Sequence, residues 1–123
     1  MENRIRLIGP PTLMPSQISE FGVEVYHDML AGLKDVDVVM MLRLQKERMD
    51  GGFIPSEREY FQRYGLDFKK LSHAKDDAIV MHPGPMNIDA EITREAANSE
   101  NSLVLKQVEN GLYLRTALLS LIL

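Results

Sequence analysis

An α/β fold, a mostly parallel sheet with helices on both faces, is what this sequence predicts, and three of its features predict it. Short apolar runs rich in valine and isoleucine recur along the chain. Segments carrying helix-start and helix-stop residues separate them. The strongest such run, Val36–Leu42, is apolar nearly throughout, the pattern of a central strand covered on both faces. Strands alternating with helices pack as a parallel sheet between helical layers. Ligands of such sheets gather at the C-terminal ends of the strands.

The elements follow in order. Arg4–Ile8 reads as a strand stopped by Gly9-Pro10-Pro11. Pro15–Phe21 reads as a short helix closed by Gly22, the residue that best tolerates a left-handed cap. Val23–Tyr26 is a second strand, and Asp28 can cap a helix running to Lys34. After the Val36–Leu42 strand comes a polar stretch, Arg43–Pro55. Ser56 and Glu59 form a capping box for a helix that Gly65 ends, and Asp67 can cap another to about Ala74. Ala78–Met81 is a strand stopped by His82-Pro83-Gly84-Pro85, where proline removes the ladder donor. Ala90–Ala97 reads as a helix and Leu103–Leu105 as a short strand. Lys106–Leu123 reads as a closing helix, with Val108, Leu112, Leu119 and Ile122 at helical spacing.

Composition narrows the function classes. A length of 123 residues suits one domain, and 45% hydrophobic with 26% charged residues is an ordinary globular balance. There is no cysteine, so disulfides, thiolate metal sites and cysteine nucleophiles are excluded, and a reducing cytosol is compatible with that usage. No signal pattern opens the sequence and no apolar run approaches the ~20 residues of a membrane span. The net charge is −4, and no basic stripe marks a nucleic-acid surface. No phosphate loop, dinucleotide fingerprint or Gly-x-Ser-x-Gly is present, so no cofactor is expected. His27 and His73 fall on predicted strand-end and helix surfaces and read as structural or solvated, since a metal site needs several converging ligands.

Two segments follow strand ends and carry chemistry. In Arg43-Leu44-Gln45-Lys46-Glu47-Arg48, Arg43 and Gln45 are two apart and point the same way in extended backbone. A guanidinium matches a carboxylate with two parallel hydrogen bonds, and a glutamine amide suits an amine or amide. The same residues also fit a solvated charged loop. In His82-Pro83-Gly84-Pro85-Met86-Asn87, two prolines around a glycine fix the backbone and can include a cis peptide bond. A rigid turn of this kind can aim carbonyl oxygens at a reacting group, or can be only a turn. His82 fits either a general base or a histidine bonded within the turn.

Together these residues resemble the aspartate carbamoyltransferase branch of the aspartate/ornithine carbamoyltransferase family. The similarity lies in Asp37–Arg48, in Ala78–Asn87 followed by Glu91-Ile92, in Leu7–Leu13 and in Gln107–Gly111, in order along almost the whole chain. The resemblance implies a Rossmann-like aspartate-binding domain over residues 1–123, truncated at its N-terminus, with the carbamoyl-phosphate domain absent. It implies transfer of a carbamoyl group from carbamoyl phosphate to the amine of L-aspartate in pyrimidine biosynthesis, in the cytoplasm. It implies substrate contacts from Arg43, Gln45, Pro83, Gly84 and Pro85, a cis Gly84-Pro85 bond, and ion pairs from Glu47 and Arg48 that hold a closed loop. Partners implied are a homotrimer or a complementary chain, with no nucleic acid and no membrane.

Three comparisons bound that expectation. The ornithine-specific relatives usually carry a cysteine where this chain has Pro83. Many family members carry an arginine after the asparagine of the second segment, where this chain has Ile88. The Ser-x-Arg-Thr phosphate cradle of the family is absent, so activity of these residues alone is not expected, and a non-catalytic amino-acid-binding or assembly module is the alternative. A further strand of the family's sheet would precede Arg4, so the chain should expose a sheet edge and apolar faces.

Overall fold

A computed structural model of the chain describes residues 3–45 and 56–123. The strands are β1 (Arg6–Ile8), β2 (Glu24–Tyr26), β3 (Val38–Met40) and β4 (Ile79–Met81). The helices are α1 (Met29–Leu33), α2 (Glu57–Tyr64), α3 (Phe68–Leu71), α4 (Arg94–Ala97) and α5 (Val104–Ile122). Two 3-10 turns, Pro11–Leu13 and Ile18–Phe21, lie between β1 and β2. Both strand pairs are parallel, β1 with β2 and β3 with β4. Parallel pairing through helical crossovers is the α/β architecture expected.

Local chemistry sets the boundaries. Asp28 caps α1 by accepting from Leu30 N–H, Ser56 caps α2 through Glu59 N–H, and Asp67 caps α3 through Lys70 N–H. Each satisfies one of the donors a helix start leaves open. Gly22 adopts the left-handed conformation, φ 69°, that ends the second 3-10 turn. The core gathers Met29 and Leu33 from α1, Val39 from β3, Val80 from β4, and Tyr64, Leu66, Ile92 and Ala96.

Several expectations are corrected. The Val36–Leu42 strand pairs only over Val38–Met40, and it is not covered on both faces. Val39 is buried, but Val38 and Met40, on the opposite face, are 47% and 51% exposed. Among the described residues the strands form two separate two-stranded ladders, not one sheet. The expected strand Leu103–Leu105 reduces to a bridge between Val80 and Ser102, after which α5 begins at Val104. The expected helix Ala90–Ala97 starts only at Arg94, because Ile92 is used in bridges to Leu66 and Ile88. The helix closing the chain forms, yet Val108, Leu112, Leu119 and Ile122 stay exposed among the described residues. No described helix is long and apolar enough to cross a membrane.

Candidate functional site

The site is built where β3 and β4 end side by side. Their ladder continues one step past the strands, with Met41 N–H donating to Met81 C=O at 2.9 Å. Beyond it the two chemically unusual segments leave in the same direction, as parallel pairing requires.

The β4 segment turns at once. His82 is 0% exposed. Its backbone N–H donates to Gln107 Oε1 on α5 at 3.0 Å. Gly84 N–H donates to His82 Nδ1 at 2.9 Å, so Nδ1 is the acceptor nitrogen and the proton sits on Nε2. That Nε2–H donates to Glu91 Oε1 at 3.2 Å. Both ring nitrogens are thus bonded, Nδ1 to Gly84 within the turn and Nε2 to Glu91 beyond it. Of the two readings of His82, the structure supports the bonded histidine and not the general base. Gly84 has φ 67° and the Gly84–Pro85 bond is cis, as the resemblance implied. Gly84 is half-buried, while Pro83 and Pro85 are exposed.

The β3 segment is tied to this turn through Leu44, which lies between Arg43 and Gln45. Leu44 N–H donates to Glu91 Oε2 at 3.4 Å, and Leu44 C=O accepts from Asn87 Nδ2 at 3.2 Å. Asn87 N–H donates in turn to Glu91 Oε1 at 2.5 Å. Arg43 is half-buried and Gln45 exposed. The sequence-predicted residues Arg43 and Gln45 therefore flank a peptide bonded directly to the segment that follows Gly84 and Pro85. Glu47 and Arg48 lie outside the described residues.

Glu91 is the centre of this network and is 0% exposed. A buried carboxylate is costly unless donors surround it. Its donors are Asn87 N–H, Leu44 N–H and His82 Nε2–H. The same negative charge acts on Tyr60. Burial, and after it the charge of Glu91, raises the Tyr60 phenol above its ordinary value of 10.0. Sequence reasoning gave no role to Glu91, Asn87 or Gln107. The available signal was Glu91 itself, a carboxylate set between Ala90 and Ile92 just past a rigid turn. Ile88, where an arginine is common in the family, packs against the hydrophobic core.

A parallel α/β scaffold with paired strand-end loops is the class of domain that places ligands at its strand ends, and the chain belongs to the family whose model matches it: Aspartate/ornithine carbamoyltransferase, Asp/Orn binding domain, over residues 4–122. It is 71% identical over 123 residues to the aspartate carbamoyltransferase catalytic subunit of Roseobacter denitrificans, covering 99% of this chain and 39% of that protein. It is 68% identical to the corresponding subunit of Ruegeria pomeroyi, covering 99% of this chain and 40% of that one. Among solved structures, aspartate transcarbamoylase from Trypanosoma cruzi in complex with carbamoyl phosphate matches with a TM-score of 0.74 at 27% identity, over 93% of this chain and 38% of that one. The chain thus spans about two-fifths of the length of these relatives.

Proposed function

We propose that these residues are the aspartate-binding half of an aspartate carbamoyltransferase. In this reading the amine of L-aspartate attacks the carbonyl carbon of carbamoyl phosphate. The tetrahedral intermediate collapses, phosphate leaves with the C–O bonding pair and takes the amine's proton, and N-carbamoyl-aspartate forms. Arg43 grips an aspartate carboxylate through two hydrogen bonds and Gln45 orients the substrate. Pro83 and Gly84 turn backbone oxygens to the carbamoyl amide and the attacking amine, with Pro85 fixing the turn. Glu47 and Arg48 hold the intervening loop in a closed form. Catalysis rests on proximity and oriented dipoles, with no dedicated acid or base. The product belongs to pyrimidine biosynthesis, a cytoplasmic setting.

The observation that carries the reading is the double hydrogen bonding of Leu44, which joins the Arg43–Gln45 segment to the chain following the proline turn. The 71% identity to an aspartate carbamoyltransferase catalytic subunit supports aspartate over ornithine as the acceptor. The phosphate of carbamoyl phosphate is held by a domain outside these residues, in a homotrimer or through a complementary chain. A strand from outside these residues joins the two ladders into one sheet. The separate ladders support that reading.

Replacing Arg43 tests the assignment. In an assembly containing the carbamoyl-phosphate domain, Arg43→Ala should lower kcat/KM for aspartate by at least ~2 kcal/mol, roughly thirtyfold, the loss expected for one charged hydrogen-bonding partner. An unchanged kcat/KM contradicts it. The alternative, a non-catalytic binding or assembly module, draws support from Ile88, which stands where many family members carry an arginine. It predicts no turnover even when the second domain is supplied.

A further inference from the structure

We infer that Glu91, acting with Asn87, is a positioning residue for the aspartate site, holding the Leu44 peptide so that Arg43 and Gln45 sit at a set place beside the His82–Pro85 turn. This rests on the function proposed above and adds to it a pair of residues that act through the Leu44 peptide.

The need for such a device follows from where the ladder stops. Its last β3–β4 bond is Met41 N–H to Met81 C=O. Residues 42–45 run on past the ladder, and the two side chains proposed to bind aspartate lie there. Leu44 is bonded from both sides: Glu91 takes its N–H, and Asn87 supplies a donor to its C=O. The clamp reaches across 47 positions of sequence for Glu91 and 43 for Asn87. It therefore transmits the geometry of the proline turn to the arginine segment.

A filler would not be a carboxylate. Well-packed apolar side chains at a buried position are commonly as stable as charged ones, so a fully buried glutamate points to a geometric role. Its two oxygens divide the work. Oε1 accepts from Asn87 N–H and His82 Nε2–H, within and just after the turn. Oε2 accepts from Leu44 N–H alone among its described partners, on the arginine segment. Glutamine at this position keeps one oxygen for the turn and presents an NH2 group to the Leu44 N–H, donor against donor. Glu91→Gln is therefore a selective probe: it breaks the arm to Leu44 and leaves the turn bonded.

The test uses the assembled enzyme and two readouts. Amide hydrogen exchange should show Leu44 N–H losing protection in Glu91→Gln, while imidazole nitrogen shifts keep His82 in its Nε2–H tautomer. Steady-state kinetics should show the aspartate KM raised about tenfold, the scale of one charge-assisted hydrogen bond, with the carbamoyl phosphate KM within about twofold of wild type. Asn87→Ala, which removes only the side-chain arm to the Leu44 C=O, should raise the aspartate KM about threefold, as expected for one neutral bond. It decides the matter if Glu91→Gln does not fold. An aspartate KM unchanged in the folded variants, or equal rises in both substrates' KM values, overturns the inference. Absence of aspartate turnover in the wild-type assembly instead overturns the functional reading on which it rests.

Discussion

Gly84 sits at φ 67°, in the left-handed region that a Cβ disfavours. A Cβ added there would meet only Val108 Cγ2, at an ordinary contact distance of 3.6 Å. The cost of Gly84→Ala is thus conformational and not steric. It should destabilise the chain by about 1 kcal/mol, read as a lower urea midpoint with an unchanged slope. A variant as stable as wild type would show that the turn does not hold this backbone conformation. At this scale the sequence was legible where chemistry is local. Arg43 and Gln45 follow a strand end, and the Pro-Gly-Pro string announces its turn. It was illegible where partners are distant. Nothing near Glu91 in sequence reveals that Leu44 donates to it across 47 positions, nor that Gln107 anchors His82 from α5. The reading of His82 as a possible base could be decided only by seeing both its ring nitrogens bonded.

Helix α1 lies close against the β1–β2 pair because Gly32 lets it. A Cβ at Gly32 would stand 2.7 Å from Ile8 Cδ1 and 3.1 Å from Tyr26 Cβ. Arg6 Nη1 reinforces the approach by donating to Gly32 C=O at 3.1 Å and to Lys34 C=O at 2.7 Å, at the helix end where cations are favoured. Gly32→Ala should therefore push α1 from the sheet and cost about 1–3 kcal/mol by overpacking, less any gain in helix propensity. Thermal or urea unfolding checks it, and an unchanged midpoint would mean that the helix yields without strain. Helix starts were readable because Asp28, Ser56 and Asp67 bond donors two or three residues away. Strand extents were not. Val36–Leu42 has the apolar content of a buried strand, but how far it pairs depends on neighbours distant in sequence, and β4 matches it only over Val38–Met40. The strand expected at Leu103–Leu105 gave way because one bridge at Ser102 sufficed before α5 took over.

Among the described residues, the Val38–Met40 face of β3 and most of α5 beyond Val104 leave apolar surface uncovered. The hydrophobic spacing of Val108, Leu112, Leu119 and Ile122 correctly indicated a helix, yet spacing alone cannot name what a helix packs against. Exposed apolar faces are what the resemblance implies. In the proposed chemistry the aspartate contacts follow the ends of β3 and β4, and the phosphate cradle lies outside these residues. The most direct measurement is product formation from carbamoyl phosphate and L-aspartate, by the chain alone and by the chain assembled with a carbamoyl-phosphate-binding domain, with L-ornithine as the competing acceptor. The account predicts N-carbamoyl-aspartate from the assembly, dependent on Arg43, and none from the chain alone. A folded assembly that makes no N-carbamoyl-aspartate, or that prefers ornithine, would contradict it.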